Sequence, residues 1–296
     1  MAFAKRIVLF LLVNILVLAT ISIVMAVFNV QPYLTQNGIH YTNLMIFCLI
    51  WGFTGAFISL ALSRMMAKWM MGVKLIAPDT QEENTRWLVN TVHSLARRAG
   101  LSTMPQVGWY ESPEVNAFAT GPSKNRSLVA VSTGILNRMD RNQLEGVLAH
   151  EITHISNGDM VTLTLIQGVV NAFVMFFARI IAFAIAQNVR EDMRYMVRFA
   201  VTIVLDILLG ILGSMVVAYF SRIREYRADA GGARLAGREK MVGALQSLMS
   251  TTQLIDTQHA SMASMKISGG GGFWALLATH PPLEDRIQRL KSGMAL

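Results

Sequence analysis

Residues Leu144 to Met160 read LEGVLAHEITHISNGDM, which sets two histidines four residues apart with a glutamate directly after the first. On a helix, positions i and i+4 share a face, one turn apart. His150 and His154 can then each offer an imidazole nitrogen to one Zn2+ at about 2.0–2.1 Å. Glu151 is rotated about 100° from His150, so it can reach a metal-bound water without being a ligand. From there it can deprotonate that water for attack on an amide carbonyl polarised by the same ion. A chance HExxH in a chain of this length has odds of about one in a hundred. Structural zinc closes with four protein ligands and usually employs cysteine. The single cysteine here, Cys48, sits inside an apolar run, which also excludes an intrachain disulfide. The spacing therefore predicts a hydrolytic site holding one zinc per chain, a geometry that manganese or cobalt can also use.

A catalytic zinc needs a third protein ligand and an open fourth position. The compact pattern HExxHxxGxxH is absent, because Asp159 and Met160 follow Gly158. In the segment EYRAD, Glu225 and Asp229 again stand at i and i+4. Glu225 could bind the metal while Asp229 accepts a hydrogen bond from the far nitrogen of a ligand histidine and fixes its tautomer. The same pair could equally be solvated or salt-bridged among Arg222, Arg224 and Arg227. Asp159, Asp206 and His280 remain the other candidates for third ligand.

The elements that must position these residues are dominated by apolar runs. Of 296 residues 53% are hydrophobic and 15% charged, against about a quarter charged in a typical soluble domain. Four segments reach the roughly 20 apolar residues that a helix needs to cross a bilayer: Ile7–Phe28, Tyr41–Leu62, Met160–Ala186 and Phe199–Phe220. The first is longer than the apolar core of a signal peptide and is read as a retained anchor. The net charge of +8 gathers beside these runs, at Lys5, Arg6, Arg64, Lys68 and Lys74. No basic stripe is interleaved with aromatics, so nucleic acid is not an expected partner. The positive-inside rule places both termini and the Arg64–Asp159 segment in the cytoplasm, although Arg190, Arg194 and Arg198 then fall outside. The expected organisation is two membrane helices over 1–63, a cytoplasmic catalytic domain over 64–159, a membrane hairpin over 160–221 and a cytoplasmic helical segment over 222–296. Two spans return the chain to its starting side, so the hairpin brings SRIREYRAD back beside HEITHIS. Within it, Arg179 and Asp206 lie at matching depth and are expected to form an interhelical salt bridge, since a lone charge there is costly.

Between the second and third spans, Thr80 with Glu83 reads as a capping box for a helix whose apolar face is Trp87, Leu88, Val92 and Leu95 and which Gly100 terminates. His93 on it reads as an ordinary surface or interface histidine, and His40 and His259 carry no functional expectation. PQVGWY, VNAFAT and SLVAVST suggest a small antiparallel sheet. VNAFAT is either a buried strand or an edge, Asn116, Ala117 and Phe118, against which an extended substrate lies. Asp140 with Gln143 caps the HEITH helix and Gly158 ends it. After the fourth span, two helical segments lead to a flexible ISGGGG connector and a last short helix after Pro281 and Pro282. His280 there could donate to an oxyanion or serve in capping and packing.

The ordered set of two N-terminal spans, NAFATG, LVAVSTGIL, VLAHEITHISNGDM, a second hairpin, EYRADA and HPPLEDRI resembles the HtpX-type membrane zinc metalloproteases, relatives of the CAAX prenyl-protein proteases, over nearly the whole chain. That resemblance implies an α+β zincin-like catalytic domain on a four-helix transmembrane scaffold in the bacterial cytoplasmic (inner) membrane. It makes His150, His154 and Glu225 the zinc ligands and Glu151 the base, and it implies misfolded or damaged membrane proteins as substrates. Two other readings compete. An intramembrane zinc protease would use Asp206 as third ligand, but the HEITH helix carries Arg141, Asn142, Glu145 and Asn157, too polar for lipid. A non-enzymatic membrane scaffold would hold no zinc tightly.

Overall fold

A computed structural model of the chain describes residues 40–258 and 276–293. The expected span Ile7–Phe28, the ISGGGG connector and His259 lie outside the described residues. In chain order the elements are α1 (Tyr41–Met70), β1 (Lys74–Leu75), α2 (Glu83–Arg98), β2 (Gln106–Tyr110), β3 (Ala117–Ser123), β4 (Arg126–Ser132), α3 (Thr133–Arg138), α4 (Arg141–Asn157), α5 (Asp159–Ala186), α6 (Arg194–Ala236), α7 (Arg238–Gln258) and α8 (Leu283–Ser292). Contacts divide the chain into two units, the first drawn from Met1–Ser59 and Thr162–Val217, the second from Leu60–Val161 and Ala218–Leu296.

The described residues of the first unit are mostly helical. Among the described residues, three stretches are long and apolar enough to cross a membrane: Tyr41–Met70, Asp159–Ala186 and Glu191–Ala236. Lipid supplies no hydrophobic drive between helices, so association depends on close packing. Accordingly, a Cβ added at Gly52 of α1 would lie 2.8 Å from the Ala172 backbone nitrogen of α5, an approach only glycine allows. The expected Arg179–Asp206 salt bridge is not formed. Helical side chains lean toward the N-terminus, and Arg179 Nη1 donates to the Met175 carbonyl of its own helix at 3.0 Å. Asp206 Oδ1 is buried without a hydrogen-bond partner among the described residues.

In the second unit four strands form one sheet in the order β1-β2-β4-β3. It is mixed and not antiparallel as the sequence suggested: β2 and β4 run parallel, with Val107 opposite Val129, while β1–β2 and β3–β4 are antiparallel. Burial explains the order. Leu128, Val129, Ala130 and Val131 are all fully buried, a continuous apolar run of the kind that takes a central position. β3 carries Gly121 and Pro122 and a register shift after Thr120, features that belong at an edge.

The core of this unit lies between the sheet and the helices, where Leu88, Val92 and Leu95 of α2 meet Leu148, Ile152 and Ile155 of α4. The start of α2 differs from the expected capping box. Glu82 is the N-cap without a side-chain bond, and the Thr80 hydroxyl sits 3.0 Å from that of Thr85. His93 meets the Pro105 carbonyl at 3.2 Å. The box that opens α4 is formed, with the Asp140 side chain accepting from the Gln143 backbone and the Gln143 side chain accepting from the Asp140 N–H. Gly158, left-handed at φ 72°, closes the helix.

α6 continues without a break for 43 residues. That is about 65 Å of helix, twice the roughly 30 Å hydrocarbon layer. Its apolar stretch ends near Phe220 and the helix runs on through Glu225 and Asp229.

Candidate metal centre

The groups that converge here all belong to the second unit. α4 presents His150, Glu151 and His154, α5 begins with Asp159, α6 contributes Arg224, Glu225 and Asp229, the turn before α8 holds His280, and α8 contributes Arg286. α6 can come this close to α4 because small residues occupy the crossing. A Cβ at Gly232 would sit 3.1 Å from the His150 backbone nitrogen, and one at Gly231 would collide with the Thr153 side chain. Gly231→Ala should therefore lower the thermal midpoint of the protein, as overpacking by a methyl typically costs about 1–3 kcal/mol. Adding Thr153→Ala should restore part of it. An unchanged midpoint in the single variant would mean that the helices do not cross at this distance.

His150 and His154 stack edge to face with centroids 4.6 Å apart, and their Nε2 atoms are 3.0 Å from each other. Glu225 is 1% exposed, and its two oxygens each lie 3.3 Å from one of these nitrogens. One ligand atom from each of the three residues falls within 4.8 Å of the others, a donor set able to hold a metal ion. A tetrahedral zinc with bonds of about 2.0–2.1 Å separates its ligand atoms by about 3.3–3.4 Å, and each histidine nitrogen stands at that distance from one Glu225 oxygen, His150 from Oε2 and His154 from Oε1. Glu225 Oε1 makes no well-formed hydrogen bond although buried, as an atom reserved for a cation would. The residues present fit zinc. Asp206 is not part of this group, which leaves no support for the intramembrane arrangement.

Each histidine also meets a carboxylate at its far nitrogen. Asp229 Oδ1 lies 2.9 Å from His150 Nδ1, where the sequence placed such a partner. The contact is close enough for an ion pair but off the axis of a hydrogen bond, and by that stricter geometry Nδ1 is unpartnered. His154 Nδ1 has a better-made partner in Asp159 Oδ2 at 2.7 Å. The sequence offered Asp159 only as an alternative ligand. Its position in the first turn of α5, directly after the helix-ending Gly158 and five residues from His154, was the available signal.

Arg286 was missed altogether. It is 6% exposed and grips Asp229 through two bonds of 2.8 and 2.6 Å, while its Nη2 stands 3.7 Å from Glu225 Oε2. The clue was helical periodicity. Leu283, Arg286, Ile287 and Leu290 share one face, and a charged residue on an apolar face needs a buried partner. His280 Nδ1 lies 2.9 Å from Glu225 Oε2, and Arg224 Nη2 lies 3.0 Å from Oε1.

The electrostatics follow from these contacts. Burial pushes the Glu225 carboxyl up, but the hydrogen bonds of His150, His154 and His280 outweigh it and hold it far below the usual carboxylate range. Burial likewise raises Asp229, and Arg286 followed by His150 reverses the effect. For His150 burial favours the neutral ring, yet Asp229 and Glu225 raise its pKa from 6.5 to about 9. The pocket is arranged to hold positive charge. Glu151 is half-buried on the adjacent face of α4, and Asn116, Ala117 and Phe118 lie at the start of the edge strand β3, against which α4 packs.

Comparison with known proteins gives concordant findings. Residues 82–293 match peptidase family M48. A protein named protease HtpX homolog from Bacillus licheniformis is 54% identical over 295 residues, covering 97% of this chain and 99% of that protein. Protease HtpX from Shewanella pealeana is 50% identical over 295 residues, with 97% and 99% covered. The crystal structure of S. mikatae Ste24p shares the fold, with a TM-score of 0.58 at 16% identity over 95% of this chain and 66% of that one.

Proposed function

Because the chain belongs to peptidase family M48 and is a membrane metalloprotease, we propose that His150, His154 and Glu225 hold one zinc ion and that Glu151 is the base that activates water for peptide hydrolysis. The observation that carries this reading is the convergence of the three buried donors from α4 and α6. Zinc, when bound, supplies a Lewis acid that polarises the scissile carbonyl and makes the attacking water more acidic. The Glu151 carboxylate takes the proton from that water and passes it to the departing amine nitrogen. His280, anchored on Glu225, is placed to donate to the oxyanion that develops at the carbonyl. An extended substrate adds to the edge of β3 at Asn116, Ala117 and Phe118, where main-chain hydrogen bonds hold it. Recognition of backbone in this way tolerates many sequences, which suits misfolded or damaged membrane proteins as substrates.

The proposed architecture is a zincin-like catalytic domain on four membrane helices. Spans lie in 1–63 and 160–221, and 64–159 with 222–296 form the catalytic part on the cytoplasmic face of the bacterial inner membrane. Single-cysteine variants probed by membrane-impermeant reagents test that orientation, and His150 protected as if at mid-membrane depth would reject it. Zinc content per chain, measured on protein purified without chelator, tests the centre itself. A value near one supports it, and a value near zero removes it.

The two carboxylates on the far nitrogens should behave differently. Asp159→Asn and Asp229→Asn should each weaken zinc binding about 10–100-fold, as loss of a ligand's orienting partner does. Only Asp229→Asn should also lower thermal stability strongly, since it leaves the buried Arg286 without its ion pair, at a cost of about 3–5 kcal/mol. Chelator competition and thermal unfolding read the two effects separately. Equal loss of stability in both variants would mean that the Arg286–Asp229 pair carries no special weight.

A further inference from the structure

On the side of Asp229 facing away from the histidines, α6, α8 and the first residue of α7 enclose a cavity of about 210 Å³ lined in part by Tyr226, Asp229, Arg234, Arg238, Arg286 and Arg289. Four guanidinium groups from three elements share one concave wall. Of the four, Arg286 alone has an acidic partner among the described residues. Arg234 uses its Nε on the Ala230 carbonyl of its own helix at 3.3 Å. Arg289 sits over the Tyr226 ring, its Cζ 4.0 Å from the centroid. The one carboxylate in the wall, Asp229, is committed to Arg286 by both oxygens.

We propose that this cavity binds a phosphate-bearing anion. Guanidinium forks match phosphate oxygens in pairs and hold them by charge-assisted bonds. Three forks without an acidic partner among the described residues, arriving from α6, α7 and α8, suit a group with several equivalent oxygens better than a planar carboxylate. The anion neutralises a wall that otherwise gathers like charge, and it ties α8, which carries Arg286, to α6, which carries Glu225 and Asp229. The chemistry is shared by two sources, inorganic phosphate and the headgroup of an anionic phospholipid. The binding does not depend on the zinc reading.

The test uses the full chain in two settings, detergent with inorganic phosphate against chloride of equal ionic strength, and nanodiscs of phosphatidylglycerol against phosphatidylcholine. Arg238→Gln/Arg289→Gln removes two forks that have no acidic partner among the described residues and touches none of the catalytic groups. A saturable rise of a few degrees in the thermal midpoint is expected for the wild type and should be absent from the double variant. A rise with both sources, or with phosphate alone, identifies a soluble anion site. A rise only with phosphatidylglycerol identifies a headgroup site. If the double variant does not match the wild-type peptidase activity, Arg238→Gln and Arg289→Gln are read singly, each expected to weaken the shift. No rise with either source, or equal rises in wild type and variants, overturns the proposal.

Discussion

Glu151→Gln should bind zinc as tightly as the wild type and lose peptide hydrolysis by at least 10²–10⁴-fold, about what positioned acid–base catalysis supplies. The substitution keeps the length and shape of the side chain and removes only its ability to accept and release a proton. None of the three converging donors is touched, and the packing of α4 rests on Leu148, Ile152 and Ile155, which the substitution leaves in place. Zinc content, thermal midpoint and turnover of an unfolded membrane-protein substrate should be measured on the same preparation. Turnover within tenfold of the wild type would remove Glu151 from the mechanism, whatever the zinc content. The converse result, inactivity with zinc also lost, would make Glu151 a ligand and not a base.

Glu225→Ala should lose both metal and activity, and its expected loss of zinc affinity exceeds that of any variant at Asp159 or Asp229. The truncation takes away one of the three proposed ligands, and two histidines one turn apart hold an ion poorly against chelators. It also removes the carboxylate that faces His150, His154, His280, Arg224 and Arg286. Part of the damage will therefore fall on folding. Glu225→Gln separates the two effects, because it keeps the volume and one neutral oxygen. The glutamine variant should fold, bind zinc far more weakly than the wild type and remain inactive. Wild-type zinc content in either variant would return the third-ligand role to Asp159 or His280.

Much of this centre was legible before any coordinates because its parts are local. HEITH is one turn of one helix, and both its start at Asp140 and its end at Gly158 follow from residues within four positions of each boundary. The described membrane helices were equally readable, since a run of about twenty apolar residues has no other stable home. The likeness of the whole ordered set to HtpX-type proteases then pointed to Glu225, which spacing alone could not separate from a solvated pair.

What resisted reading was non-local. A parallel or antiparallel neighbour leaves the same alternation in a strand, so the place of SLVAVS at the centre of the sheet emerged only from its burial on both faces. The same holds for charge. Arg286 looks in sequence like many exposed arginines, and its value lies in a partner 57 residues away. Arg179 shows the opposite error, a matched depth along two helices that did not become a contact because the side chain found a carbonyl on its own helix. The sequence by itself determined the spacing of the two histidines, the glutamate between them and the apolar stretches that make this a membrane protein, because helix period and hydropathy act within a few turns. Only the tertiary structure decided which carboxylates face which nitrogens, since a buried ion pair forms where packing removes water from both partners, and packing joins residues the chain keeps far apart.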